Sequence, residues 1–191
     1  MKEIIVKDLM VPLDEYASVP LDATLAEAIQ ALERAQQAFD HTKYRHRAIL
    51  VLDAAGQPVG KISQIDALKA LEPKYKEIQG KDTKGTFRHF SRMFLNSMLE
   101  HHGLFDGSLD DLRKKAAMIH VGEFMHALSA DECLAEKATL DEAIHILIMG
   151  HQQSLLVTCD SEIVGILRLT DVFSAVFQAL SGFSGNVDQD A

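Results

Sequence analysis

The chain has 191 residues, 47% of them hydrophobic, and a formal net charge of −9. That apolar content supports a sizeable core, in one domain or two small ones. The acidic balance argues against a general binder of nucleic acid or of anionic membranes. The charge is uneven: residues 73–120 hold nine Lys/Arg against six Asp/Glu, a local +3 against −12 elsewhere. This segment is still too mixed in sign for an electrostatic nucleic-acid footprint. Cys133 and Cys159 stand in no metal or redox spacing and form no disulfide framework, so a reducing cytosol is the expected setting. Residues 1–10 alternate charged and apolar side chains, unlike a signal-peptide core. Apolar runs such as Ile146 to Met149 are far too short to span a membrane.

In chain order, Val6-Lys7-Asp8-Leu9-Met10 precedes Thr24, a plausible helix N-cap whose capping box Glu27 completes. Leu25, Ala28, Ile29, Leu32, Ala35 and Phe39 then trace one helical face. A charged stretch follows from Gln37 to Arg47, with His41, Lys43, Arg45 and His46. It reads as a solvated helix end or as a basic rim that attracts a phosphate. Ala48 to Leu52 is a buried strand, Asp53 to Gly56 a turn, and Pro58 to Ile62 a second strand. The stretch Gly60-Lys61-Ile62-Ser63-Gln64-Ile65-Asp66 then opens a helix carrying Ala67, Leu68 and Leu71.

From Pro73 the chain changes character. Lys74 to Gly85 is a polar link. Phe87, Phe90, Phe94 and Met98 share a helical face that Gly103 stops, and Ser108 caps a second helix through Asp110, Asp111 and Leu112 to Met118. These Phe/Met faces either pack on the flanking units or form a docking surface or lid. His101, His102, His89 and His120 invite a metal reading. Adjacent histidines on a helix point apart, however, and no carboxylate–histidine pair at i, i+4 accompanies them on that helix, so no metal site is assigned.

The earlier blocks then return. Val121-Gly122-Glu123-Phe124-Met125 and Thr139-Leu140-Asp141-Glu142-Ala143-Ile144 match their counterparts at an offset of 115. Gly165-Ile166-Leu167-Arg168-Leu169-Thr170-Asp171 matches at 105, so the first copy carries ten extra residues around Gln37 to Arg47. Ordered repetition of several blocks outweighs any single motif. Each copy reads as loop, short strand, helix, strand, strand, helix. At about 60 residues a copy buries too little surface to be comfortable alone, so the two are expected to share a core. The last helix is apolar on most sides through Val172, Phe173, Ala175, Val176, Phe177, Ala179 and Leu180, as is Ala143 to Met149. That pattern predicts burial against a second molecule, a homodimer.

Where a strand runs straight into a helix, free backbone N–H groups make an anion site. Ser63 adds a hydroxyl and Asp66 a carboxylate able to accept two ribose hydroxyls. The rival reading is that Ser63 and Asp66 form only a capping box, and that Thr170 caps the last helix with Asp171 favouring its dipole. No nucleophile elbow, phosphate-binding glycine loop or paired catalytic carboxylates occurs, so no enzyme is expected.

The block order, each copy closing on a Gly-x-x-Ser/Thr-x-x-Asp pattern, resembles a tandem pair of cystathionine-β-synthase (CBS) domains, over about residues 4–72 and 119–181. The resemblance leaves a helical insertion at 73–118 and a tail at 182–191. It implies an α/β fold of two β-α-β-β-α units related by pseudo-two-fold symmetry, dimerising into a disc. It also implies clefts for an adenosine compound: AMP, ADP or ATP, with S-adenosylmethionine or NADH possible. By position, Asp66 would hold ribose, Ser63 phosphate, and Tyr16-Ala17-Ser18-Val19 would line the adenine. In the second copy Asp171 matches the ribose aspartate and Asp131-Glu132-Cys133-Leu134 the adenine stretch, but Arg168 replaces the hydroxyl. Arg168 would either grip a phosphate or close the cleft through a salt bridge, so the first cleft ranks above the second. The function implied is a nucleotide-sensing regulatory module that signals to an effector protein. The alternative is a dimeric interaction scaffold with vestigial clefts.

Overall fold

The computed structural model describes residues 4–38, 45–75, 78 and 91–183. Expectations for Phe39, His41, Lys43, Phe87, His89 and Phe90, for most of the link 74–85 and for the tail from 184 lie outside those residues.

The first unit runs β2 (Ser18–Pro20), α1 (Leu25–Ala38), β3 (Ala48–Leu52), β4 (Pro58–Ser63) and α2 (Gln64–Leu71), preceded by a short strand β1 (Val11–Pro12). Among the described residues the insertion then gives the helices α3 (Arg92–His102) and α4 (Leu109–Ala116). The second unit runs β5 (His126–Ala127), β6 (Cys133–Ala135), α5 (Leu140–Met149), β7 (Ser154–Cys159), β8 (Glu162–Arg168) and α6 (Leu169–Phe183). Local chemistry sets the boundaries. Glu27 accepts from the Thr24 N–H and Glu142 from the Thr139 N–H, so both central helices start where expected. Asp53 accepts from the N–H groups of Ala55 and Gln57 and closes the β3–β4 turn. Asp160 and Ser161 turn β7 into β8 with positive φ at both positions.

Each unit contains a parallel β-α-β crossover followed by a hairpin, giving two four-stranded sheets ordered β2-β3-β4-β5 and β6-β7-β8-β1. The outer strand of each sheet comes from the other repeat. Val11 and Pro12 pair with Ile166 and Gly165, while His126 and Ala127 pair with Lys61 and Gly60. The residues before each exchanged strand follow it across. Val6 N–H donates to Ala138 and Leu140 N–H to Ile4, and at equivalent positions Val121 N–H donates to Ala23 and Leu25 N–H to Ile119. Val6 is wholly buried among Leu134, Leu140, Leu155 and Leu167 of the second unit. Val121 is equally buried among Ala28, Ile49, Val51 and Ile62 of the first. A third cluster, Val11, Tyr16, Leu50, Leu156 and Ile166, joins the two sheets. Two small units are thereby made one body, which solves the burial deficit of either alone.

Of the face Phe87, Phe90, Phe94 and Met98, the described residues are Phe94, which is exposed, and Met98, which is half-buried; in α3 Met93, Leu95 and Leu99 are exposed as well. Its last turn is held instead: Lys74 Nζ donates to the carbonyls of His102 and Gly103, and Gly103 takes the left-handed conformation that ends the helix. Glu72, buried at the end of α2, accepts from the Phe105 N–H at 2.8 Å. Burial alone would raise its pKa, but hydrogen bonds from the backbones of Phe105 and Lys74 hold the carboxyl below its usual value. Ser108 caps α4 as expected, in a capping box with Asp111.

The glycine opening each Gly-to-Asp stretch lies where an exchanged strand crosses. A Cβ on Gly165 would meet the Val11 carbonyl oxygen at 2.6 Å and Met10 Sδ at 2.9 Å; one on Gly60 would meet the Met125 thioether and, at 3.1 Å, the His126 carbonyl. Gly165→Ala is therefore expected to lower the unfolding free energy by about 2–3 kcal/mol, since a backbone carbonyl in a paired strand cannot step aside. Gly60→Ala should cost less, because a thioether end can swing away. Denaturant titration of both variants checks this, and equal or negligible losses would contradict the crossing as described.

Candidate functional site

The exchanged strand β5 and the two Gly-to-Asp stretches border a cavity of about 730 Å³ lined from both repeats. Its wall carries Arg45, Arg47, Lys61 and Arg168 against Asp66 and Glu132. In a chain of net charge −9 this is a local cationic surplus, suited to an anion. The charged stretch before β3 thus ends at the cavity, where exposed Arg45 and Arg47 flank His46. His46 itself is fully buried, so that end of the stretch is not a solvated helix terminus.

Ser63 is the N-cap of α2. Its Oγ accepts from the Asp66 N–H at 3.2 Å, while Asp66 Oδ2 accepts from the Ser63 N–H at 2.9 Å and from the Ser63 hydroxyl. The second carboxylate oxygen, Oδ1, lies 2.9 Å from His126 Nε2. An ionised carboxylate only accepts, so the imidazole donates. Burial raises the Asp66 pKa, but the hydrogen bonds from Ser63 and His126 outweigh it and hold the carboxyl below its ordinary value. The capping reading of these two residues therefore describes their mutual bonds, while both still face the cavity.

The second repeat is built differently. Arg168, buried on β8, makes a two-pronged ion pair with Asp171, Nε to Oδ2 and Nη2 to Oδ1, both 2.6 Å. Arg168 Nη1 also lies 3.4 Å from His46 Nδ1, and the His46 ring meets the Tyr16 ring edge-on at 4.5 Å. A buried relay of Tyr16, His46, Arg168 and Asp171 therefore ties the first repeat to the second. Burial pushes the Tyr16 phenol up to about 12, against the opposing pull of Arg168, so it stays neutral. Burial, reinforced by Arg168 and opposed by Asp171, pushes His46 down to about 4.

Of the residues singled out in the sequence, Tyr16, Ser63, Asp66, Arg168 and Thr170 line the cavity together. Ala17 and Val19 do not: they are buried in the core of the first unit beneath α1. Ser18 sits on β2 opposite Leu50. Asp171 is engaged by Arg168 rather than lining the cavity. Sequence reasoning missed His126, which reaches Asp66 only because β5 crosses to the other sheet. It also missed Lys61, whose charge in an otherwise apolar strand, two residues before Ser63, was a usable signal. Among the described residues no group of three or more His, Cys, Asp or Glu is arranged to hold a metal. His101 and His102 instead stack edge to face at the end of α3, and His120 Nδ1 bonds the Asp22 carbonyl.

The relay carries a pH signature. His46 has an ordinary pKa of 6.5 when unfolded and about 4 when folded, so between these values the unfolded chain takes up a proton that the folded chain refuses. Its contribution is fully present above 6.5 and is lost as pH falls toward 4. Denaturation midpoints measured from neutral to acidic pH should fall more steeply for the native chain than for His46→Gln. Parallel slopes would contradict this assignment.

In comparisons with known proteins, the family model for the CBS domain matches twice, at residues 6–73 and 121–178. No curated protein matches the chain in sequence. Among solved structures, the CBS-pair protein CBSX2 from Arabidopsis thaliana is similar over 93% of this chain and 96% of its own, with a TM-score of 0.56 at 18% identity. CBSX2 in complex with AMP gives a TM-score of 0.57 at 20% identity, covering 92% of this chain and 98% of that one. A CBS domain-containing protein of unknown function from Bacillus anthracis gives 0.58 at 17% identity, covering 93% and 95%. Two family matches that together span most of the sequence, on two interlocked β-α-β-β-α units, establish that this chain belongs to the CBS domain family.

Proposed function

We propose that the chain is a regulatory module that binds an adenosine nucleotide in the cavity between its repeats and signals the bound state to a partner protein. The observation that carries this reading is the cavity itself: an ionised Asp66 at a helix start, faced by Arg45, Arg47, Lys61 and Arg168. A vicinal ribose diol offers two donors to a carboxylate that only accepts. Phosphate oxygens suit guanidinium groups. Tyr16, neutral and half-ringed by His46, offers an aromatic wall. AMP is the first ligand to test, since it is the compound named in the CBSX2 complex; ADP, ATP, S-adenosylmethionine and NADH present the same adenosine.

The proposed stoichiometry is one nucleotide per chain, because Arg168 already occupies both oxygens of Asp171, the second ribose aspartate. The role is regulatory rather than catalytic, as the cavity offers binding groups without an activated nucleophile. The two free thiols, Cys133 and Cys159, fit a reducing cytoplasm. No described helix is long and apolar enough to cross a membrane.

A route for the signal lies in α2. Its first turn faces the cavity and its last turn ends at Glu72, which holds the insertion through Phe105. A nucleotide moves this route only in so far as it binds two arrangements of the repeats unequally. The uncovered faces of α2 and α6 provide the proposed homodimer contact: Leu68, Phe173, Phe177 and Leu180 are 56%, 64%, 61% and 65% exposed. The second reading, a scaffold with vestigial clefts, draws on the fact that Ser63, Asp66, Arg168 and Asp171 all have partners within the chain.

AMP at 100 times its dissociation constant should add about 2.7 kcal/mol to the unfolding free energy, with calorimetry giving one site per chain. Asp66→Ala should abolish that increment, and because Asp66 also caps α2 it should lower the ligand-free stability by about 1 kcal/mol. Silence from every adenosine compound would favour the scaffold. In sedimentation, Phe173→Glu with Phe177→Glu should convert the dimer to a monomer; a native chain that is already monomeric would overturn the dimer.

A further inference from the structure

The proposed nucleotide contact turns on Asp66, yet the chain itself fills most of that carboxylate's acceptor positions. The two oxygens of a carboxylate offer about four lone-pair positions. In Asp66, Oδ2 accepts from the Ser63 N–H and from the Ser63 hydroxyl, and Oδ1 accepts from His126 Nε2 at 2.9 Å. Among the described residues three positions are thus taken and one, on Oδ1, is open. A vicinal ribose diol brings two donors, so one of the three bonds must give way for both to be received. The Ser63 bonds are local and belong to the capping box that starts α2. His126 is a different kind of partner. It sits on the two-residue strand β5 of the second repeat, and its side chain is 65% exposed against 10% for Asp66. Both residues line the cavity. An imidazole so exposed can turn into water, where its N–H is satisfied again, at a cost within the small range of surface ion pairs.

We infer that His126 is a latch on the ribose site: its imidazole and the second ribose hydroxyl compete for Oδ1 of Asp66, and a bound nucleotide releases it. The inference rests on the nucleotide reading and deepens it by naming how occupancy is registered. The carboxylate belongs to one repeat and the competing group to the other. β5 completes the first repeat's sheet by pairing with Gly60 and Lys61. The group released therefore rides on a strand that joins the two repeats. A ligand with a full diol opens the contact, whereas one with a single hydroxyl fits the open position on Oδ1 and leaves the latch closed. This gives the ligand unequal affinity for two arrangements, which a regulatory ligand needs. His126 is accordingly a positioning residue, acting on the ligand through Asp66.

Calorimetry on the full chain with AMP, 2′-deoxy-AMP and 3′-deoxy-AMP tests the latch, since each deoxy analogue keeps one hydroxyl. Removing the competitor in His126→Ala should tighten AMP by about 2–5-fold, the worth of an exposed ion pair, and leave both analogues near their native affinity. His126→Gln, whose amide donates from a similar reach, should return AMP to its native affinity. A merely structural role of His126 would instead shift all three ligands together. In NMR spectra of the histidine rings, the His126 signal, identified by its loss in His126→Gln, should move on saturation with AMP and hold its place with the deoxy analogues. Weaker or unchanged AMP binding in His126→Ala would overturn the inference, as would a ring signal that AMP leaves in place. If the native chain binds none of the three, the nucleotide reading fails and takes the latch with it. If AMP binds the native chain and His126→Ala alike, the nucleotide reading stands and only the latch falls.

Discussion

The exchange of outer strands between the repeats is the constraint on which the rest of the molecule depends. Each repeat supplies the last strand of the other's sheet and plugs a fully buried valine into the other's core. Neither sheet is complete without the other repeat, and a unit of about 60 residues lacks the burial to compensate. The cavity is a by-product of the same crossing. β5 brings His126 against Asp66, and β4 brings Lys61 against Glu132, so the polar wall is assembled from side chains that no single repeat contains.

Within that symmetric frame the chemistry is deliberately unequal. The first Gly-to-Asp stretch ends in a serine and an aspartate that cap a helix and still face open volume. The second replaces the hydroxyl with Arg168, which turns inward onto Asp171 and His46. A guanidinium buried this deeply needs its charge met, and the two carboxylate oxygens at 2.6 Å meet it. His46 stands just before β3, at the end of the stretch in which the first copy carries ten extra residues. Arg168 of the second repeat and His46 of the first therefore meet in the same buried relay.

Much of the fold was legible in the sequence. Thr24 with Glu27 and Ser108 with Asp111 marked helix starts because a capping box is a local contract between residues three apart. The strand Ala48–Leu52 announced itself as an apolar run, since both faces of an inner strand are covered. The two-residue strands Val11–Pro12 and His126–Ala127 were not legible, because their pairing partners lie in the other repeat and two residues have no periodicity to read. The candidate site divides in the same way. Ser63, Asp66 and Arg168, singled out through the repeat, line the cavity, whereas Ala17 and Val19 are buried in the core of the first unit. The apolar residues of α3 gave no sign of whether they would be covered; Lys74 and Glu72 hold only the end of that helix.

The interlocking of the repeats is tested most directly by native-state hydrogen exchange at the amides of Val6 and Val121, which donate across the exchange to Ala138 and Ala23. The account predicts that both open only with the whole molecule, at the same free energy as the central strands β3 and β7. Fast exchange at either amide, through local fraying while β3 and β7 stay protected, would show that the crossing segments are mere attachments and would contradict it.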